Sequence, residues 1–369
     1  MKISFLLSFI PNPRMERRIK LLKNKYKLSL IYWNRNFVAK KVIIENVKIH
    51  EVKVKADFNL KHLVKRLFNT FKFRSRALKL LKEIDPEIIY VQNIDMLSIA
   101  YKYQKQKSVK IIYEIADISS LVIDKQKGII NKVFSFLLKA RERKYLKKTN
   151  LLVITSPKYY EEYFYRLITI DKVFYMPNIP DTKVFKNFKR KQSPPFTIGF
   201  IGVIRYENEI KMLIDAAEKA KVNVFIAGNS FTDEIKRYSD GKDFVTYYGA
   251  YNYKEEISML YSRIDCIYAV YDTKKKNVRL ALPNRLYEAI YLELPIIVSK
   301  DTYLEEVVKR LNVGESVDPN DAGELYKALI KLKTDKDFYN NFVLSCKDKK
   351  KLINAAEYER ALIQKIESL

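Results

Sequence analysis

PNRLYEAIYLELPIIVS, residues Pro283 to Ser299, puts a helix, a turn and a strand into one short stretch. Pro283 and Asn284 open the helix, because proline's fixed φ and missing N–H suit a helix start. Glu288 follows about one turn in, and Pro295 marks where the chain leaves the helix. Ile296 to Val298 then form a short, fully apolar strand, as expected in a parallel sheet covered on both faces. The helix start offers unpaired N–H groups and a partial positive charge, which suit phosphate. A carboxylate one turn on can accept hydrogen bonds from a sugar's hydroxyls. Taken alone, the same residues fit an ordinary core helix of a βαβ unit equally well.

Similar apolar runs alternate with helical patterns on both sides of this segment. Strands are predicted at Ile3–Phe9, Leu28–Trp33, Val42–Val54, Ile88–Val91, Lys110–Tyr113, Leu151–Ile154 and Val173–Tyr175. In the second half they are predicted at Thr197–Gly202, Asn223–Ala227, Val245–Tyr248, Cys266–Val270, Ile296–Val298 and Glu315–Val317. Two open sheets follow, with ligands expected at the carboxyl ends of their strands. The polar, proline-containing stretch Pro177 to Pro195 reads as an interdomain linker. FTIGFIGVIRY, Phe196 to Tyr206, reads as a strand, a glycine turn and the start of a helix. Gly202 would let a diphosphate approach the backbone, and Arg205 would pair with its oxygens. Ala227-Gly228-Asn229 and Tyr248-Gly249-Ala250 end consecutive strands, where tight turns and close approach of a ligand are both served by glycine.

The Pro283–Ser299 segment resembles the sugar-nucleotide site of retaining family 4 glycosyltransferases, whose pattern runs P-x-K-x-x-E, a turn, then P-[IV]-[IV]. VDPNDAGEL, Val317 to Leu325, resembles that family's V-x-P-x-D-x-x-x-L segment. Weaker matches fall in order along most of the chain. The resemblance implies α/β architecture of the GT-B type, with two Rossmann-like domains facing across a cleft. Residues 1–180 would form the acceptor-side, membrane-facing domain and 181–350 the nucleotide-sugar domain, with 351–369 a final helix crossing back to the first. It implies that Gly202, Gly228, Asn229, Tyr248, Gly249, Tyr271, Asn284, Arg285 and Glu288 bind the donor. Arg205 would stabilise the diphosphate and Glu288 would hold the ribose hydroxyls. Tyr271, Asp272 and the run Lys274–Lys276 would form a loop over the donor, or the lysines would simply be solvated.

Three positions depart from the family. Glu209 stands where a second basic residue is usual, so Arg205 would act alone or with Arg285, unless Lys211 reaches in. Leu280 replaces the first Glu of an E-x7-E pair that helps hold the sugar. In YEIADI, Tyr113 to Ile118, Ala116 replaces a His. Asp117 then remains to contact the acceptor hydroxyl or the sugar, or else caps a helix. Pro13-Arg14 resembles an acceptor loop lacking its Asp, and Arg14, Asn93, Asp95 and Glu114 are the acceptor-side candidates. The family lets the departing phosphate take the acceptor's proton, so catalysis would rest on positioning and charge stabilisation by Asp117, Arg205 and Glu288. No metal and no cofactor are expected, the nucleotide-sugar being a substrate.

Composition narrows the class. The 369 residues allow two domains of ordinary size. No apolar run approaches the roughly 18 residues of a membrane span. MKISFLLSFIPNP reads as a first buried strand rather than a signal peptide. Cys266 and Cys346 lie far apart, which suits a reducing compartment. His50 and His62, the only histidines, sit in no triad or zinc pattern.

The net charge of +27 is concentrated in the first half, where 38 Lys and Arg meet 15 Asp and Glu within 1–180. That points to an anionic partner for one domain. Asn59 to Lys82 carries eight Lys/Arg and no acid, with Leu60, Leu63, Val64, Leu67, Phe68 and Phe71 at helical spacing. Asp124 to Lys148 carries nine Lys/Arg against two acids, with Ile130, Val133, Phe134, Leu137 and Leu138 on a second face. Basic amphipathic helices of this kind bind anionic membrane surfaces, although at least one apolar face must pack on the sheet.

The leading expectation is a transferase moving a sugar, from UDP by default, onto a polyprenyl-diphosphate-linked saccharide. It would act in the cytoplasm at the inner membrane face, in capsule, exopolysaccharide or lipopolysaccharide assembly. Alternatives are a catalytically inactive partner subunit and a sugar-nucleotide epimerase. A nucleic-acid-binding protein would explain the charge, but no groove-reading motif is present and no nucleic acid is expected.

Overall fold

The computed structural model describes residues 1–35, 37–39, 42–55, 63–124, 128–190 and 194–369, with the side chains at 63–67 and 121 excepted. Two wholly parallel sheets carry the chain. The first holds β1 (Lys2–Leu7), β2 (Lys27–Asn34), β3 (Val47–Lys53), β4 (Ile88–Gln92), β5 (Lys110–Ile115), β6 (Leu151–Ile154) and β7 (Val173–Tyr175), in the order 3-2-1-4-5-6-7. The second holds β8 (Thr197–Ile201), β9 (Asn223–Ala227), β10 (Val245–Gly249), β11 (Cys266–Ala269), β12 (Ile296–Ser299) and β13 (Gly314–Val317), in the order 10-9-8-11-12-13. Central strands such as β4 and β12 are buried at every position, which explains their continuous apolar reading. The architecture is α/β, with two Rossmann-like domains of the GT-B fold.

Each sheet reverses its strand order once, between β1 and β4 and between β8 and β11. Open parallel sheets bind ligands at the carboxyl ends of the strands beside such a reversal, because the connecting chains diverge there and leave a crevice. Two compact units result. One comprises Met1–Met176 with Glu357–Leu369, and the other Pro177–Ala356. Within the first unit, Leu362 and Ile366 of the last helix (Ala355–Glu367) join the core around β1 and β4. Arg17 holds the same helix through Glu359 at 3.0 Å.

Two segments differ from the sequence reading. The strand predicted over Val42–Val54 begins only at Val47, because Asn46 takes a left-handed φ of +62°. There the Val47 N–H turns back to the Ile44 carbonyl at 3.2 Å. The stretch read as a linker contains Phe185, buried against Tyr261 and Tyr291 of the second unit. An apolar ring every few residues is enough to bind such a segment to a core.

Candidate functional site

The turns after β8, β9 and β10 are laced together by backbone bonds. Gly202 N–H donates to the Ala227 carbonyl and Gly228 N–H to the Gly249 carbonyl, each at 2.8 Å. Three of the predicted donor glycines therefore lie in one row at the carboxyl edge of the second sheet. At two of them a side chain has no room. A Cβ on Gly202 (φ +144°) would sit 2.3 Å from a terminal guanidinium nitrogen of Arg285. One on Gly228 (φ +150°) would sit 1.8 Å from the Gly202 carbonyl oxygen.

Arg285 comes from the first turn of the helix Asn284–Leu292, and its side chain runs beneath the Gly202 turn. Its Nε and one terminal nitrogen donate to the Ile201 carbonyl at 2.9 and 2.6 Å, and the other donates to the Tyr271 hydroxyl. The guanidinium also lies 4.1 Å over the Phe200 ring. The sequence pattern puts Arg285 beside the expected diphosphate at the helix start. The structure instead places a buried cation directly under the backbone row. Burial works against its charge, but Tyr271, Tyr261 and Glu288 more than offset this and hold its pKa above the ordinary value. Tyr271 is itself fixed, its N–H donating to Ser299 Oγ at 2.6 Å. Pro283 gives the helix start no side-chain cap, and with Leu286 N–H on the Pro283 carbonyl at 3.2 Å, the Asn284 and Arg285 N–H groups are the ones an anion could meet.

One turn along, Glu288 is 3% exposed. Tyr253 donates to one carboxylate oxygen at 2.8 Å and Tyr261 to the other at 2.6 Å. The two tyrosines open and close the helix Tyr253–Tyr261; neither was singled out from the sequence, where nothing ties them to a residue so far along the chain. Burial raises the Glu288 pKa, against the lowering effect of Tyr261, Tyr253 and Arg285. A carboxyl raised on folding supports the native state while protonated and loses that support as pH climbs from its unfolded value through its folded one. Relative to wild type, a Glu288→Gln variant is therefore expected to gain thermal stability as pH rises through and above the ordinary carboxyl range. Paired melting curves across that range check the sign; a constant difference would contradict it.

The remaining donor-side candidates vary. Arg205 and Asn229 are exposed, and Tyr248 is half-buried with its hydroxyl on Glu256. Lys274 and Lys275 are exposed, but Lys276 starts a short helix, Lys276–Leu280. Lys211 pairs with Glu234, so the stand-in basic group is already engaged. Glu209 is buried, and desolvation raises its pKa. Leu280 is 7% exposed, an apolar residue within the buried part of its short helix.

In the first unit, Asn93 follows β4 with φ +72° and donates from Nδ2 to Ser8 Oγ, just past β1, at 2.9 Å. This bond ties together the two sides of the first strand reversal. Asp95 and Asp117 are exposed at the same carboxyl edge, and Arg14 is half-buried in the helix Pro13–Leu22. Glu114 departs from expectation. It is fully buried, bound by Arg18 at 3.1 Å and by the Tyr90 hydroxyl, and leaves no surface for an acceptor. Arg18 is not singled out by the sequence, since its partner Glu114 lies 96 positions along the chain.

The helix Ile129–Leu146 turns its most apolar side outward. Ile130 is 84% exposed and Val133 54%, whereas Ser135 and Glu142 face inward. Glu142 is held there by Tyr163 at 2.6 Å. In the helix Leu63–Ile84, Phe68 and Phe71 are exposed as well. Leu60 and the side chains of Leu63, Val64 and Leu67 lie outside the described residues. Among the described residues, no helix is long and apolar enough to cross a membrane.

The chain is similar to known proteins in both sequence and fold. The chain is 26% identical over 223 residues to the succinoglycan biosynthesis protein ExoL of Rhizobium meliloti (strain 1021). That match spans 55% of this chain and 53% of ExoL, about half the length of the relative. Among solved structures, sucrose-phosphate synthase of Thermosynechococcus elongatus superposes with a TM-score of 0.75 at 13% identity, covering 100% of this chain and 98% of the other. Anabaena HepE in complex with UDP-glucose superposes with a TM-score of 0.72 at 14% identity, covering 100% of both chains. At such identities the likeness shows the fold. Residues 181–351, the stretch that contains Gly202, Gly228, Arg285 and Glu288, match the family model of the glycosyl transferases group 1.

Proposed function

We propose that the protein transfers a sugar from a nucleotide diphosphate, with UDP as the leaving group, to a lipid-linked saccharide during surface-polysaccharide assembly. One observation carries the reading: within a segment matching group 1 glycosyl transferases, a glycine row, a buried arginine, an uncapped helix start and a clamped carboxylate converge at the β8/β11 reversal. The diphosphate would lie along Gly202 and the start of Asn284–Leu292, where N–H groups and the Arg285 charge are fixed before it arrives. Glu288, oriented by Tyr253 and Tyr261, would take the ribose hydroxyls. Arg205 would close on the phosphate from the solvent side. Retention would follow if the departing phosphate accepts the acceptor's proton on the same face, with no metal required. Asp117 and Asn93 would position the acceptor. The exposed apolar face of Ile129–Leu146, surrounded by lysine and arginine, would rest on an anionic membrane at the cytoplasmic side. HepE, with its UDP and UDP-glucose complexes, and ExoL, by its name, support the nucleotide and the pathway class.

The test is a metal-free thermal-shift panel with UDP, GDP, ADP, CMP and dTDP. At about a hundredfold excess over Kd, UDP is expected to raise the wild-type midpoint by roughly 5 °C or more. Because Arg205 is exposed, Arg205→Ala should melt like wild type without ligand and lose most of that shift. No shift with any of the five would overturn the donor site. A second reading, a nucleotide-binding but inactive partner subunit, is favoured by buried Leu280 in place of an acid; it predicts the shift without turnover.

A further inference from the structure

Between the helices Leu63–Ile84 and Ile94–Gln104 of the first unit lies a pocket of about 340 Å³. Arg74, Lys79, Lys82 and Lys102 line it together with Phe71 and Leu78, and no carboxylate does. Phe71, Arg74, Leu78 and Lys82 recur at three- and four-residue spacing, which places them on one face of their helix. None of the four cations has an ion-pair partner among the described residues, and the Nε of Arg74 is buried without a hydrogen-bond partner there. Four like charges around one opening repel one another, less so where water screens the exposed lysines, and a shared anion would relieve that repulsion. Arginine and lysine around a compact anion are a phosphate-binding set.

The apolar wall narrows the choice of ligand. Phe71 is 66% exposed and Phe68, just before it, 64%. A free phosphate has no use for two open aromatic rings, whereas an amphiphile has. The helix Ile94–Gln104 packs against both Leu63–Ile84 and Ile129–Leu146. The pocket therefore shares one side of the sheet with the exposed Ile130 and Val133. We propose that this pocket binds the phosphate of an anionic phospholipid, with Phe68 and Phe71 set against the acyl region. The source of the phosphate rests on the membrane-docking reading above, but the transfer reaction plays no part in it.

The experiment is co-sedimentation of the full chain with phosphatidylcholine vesicles, with and without phosphatidylglycerol. A Lys79→Gln/Lys102→Gln variant is compared with Lys72→Gln/Lys105→Gln, which removes the same charge outside the pocket, from the first helix and from the residue that caps the second. The pocket pair should lose about tenfold or more in affinity for the anionic vesicles, and the control pair less than about threefold. Glycerol 1-phosphate should compete with the vesicles for wild type. All four lysines are exposed, so unchanged melting midpoints confirm that the variants fold. Equal losses in the two pairs would keep membrane docking and overturn the pocket. No vesicle binding by wild type would overturn both. Inorganic phosphate binding that depends on Lys79 and Lys102, with vesicle binding indifferent to them, would make the ligand a free phosphate and overturn the lipid assignment. None of these outcomes touches the UDP panel, so failure here and failure of the transferase reading remain separable.

Discussion

Replacing Gly228 with alanine should destabilise the second unit by at least about 4 kcal/mol. The new Cβ would meet the Gly202 carbonyl oxygen at 1.8 Å, at a backbone φ of +150°. Relief cannot come from a side chain swinging away, because the obstacle is backbone that is itself bonded. Gly202 N–H is held by Ala227, and Gly228 N–H by Gly249. Moving one turn would pull the other two, so the strain spreads over the carboxyl edge of β8 to β10. Gly241→Ala is the control. It also has a positive φ, +70°, but its Cβ would meet nothing within 4 Å, so the cost should stay near 1 kcal/mol. Hydrogen exchange separates the two cases. Gly228→Ala should lose protection in β8 to β10 while β4 keeps its own. Full protection of β8 to β10 in that variant would show that the glycine row is not locked as described.

The second large effect belongs to the first unit. Arg18 is 3% exposed and Glu114 0%, and they meet within the sheet–helix core with Tyr90 as a third partner. Burial lowers the Arg18 pKa, but Glu114 and Tyr90 outweigh it and hold the guanidinium charged. Removing one partner leaves the other charge buried without compensation. Arg18→Met is therefore expected to cost about 3–5 kcal/mol. The double variant Arg18→Met/Glu114→Gln should recover much of this, because no lone charge then remains. Trp33, the chain's single tryptophan, is buried and stacked 4.5 Å from Phe73. Its fluorescence during urea unfolding reports this unit directly. A double variant as unstable as the sum of its singles would show that the pair does not act as a pair.

The two buried clusters mark the limit of what the sequence discloses. The strands were legible because parallel strands covered on both faces must be apolar at nearly every position, as IIYV and IIV are in β4 and β12. Glycines at strand ends were legible for a similar reason, since few residues other than glycine take those φ values. The direction of a long side chain was not. Arg285 sits at the helix start where expected, yet its guanidinium turns under the Gly202 turn because the Ile201 carbonyl and the Tyr271 hydroxyl wait there. Arg18 and Glu114 are 96 positions apart, and nothing local distinguishes Arg18 from its half-exposed neighbour Arg17. Periodicity located the apolar stripe of Ile129–Leu146 but not which side the sheet would take. The inward side holds Ser135, Glu142 and Leu146, with Glu142 bonded to Tyr163, and Ile130 and Val133 are left exposed.

Product stereochemistry decides whether the sugar is transferred with retention. UDP-sugars with an α-linked donor bond would be incubated with detergent-extracted lipid-linked saccharides and a chelator, and the new linkage read by NMR. Transfer without added metal and an α-configured product are expected. A β-configured product would contradict retention, and UDP binding without any transfer would make the chain the inactive partner instead.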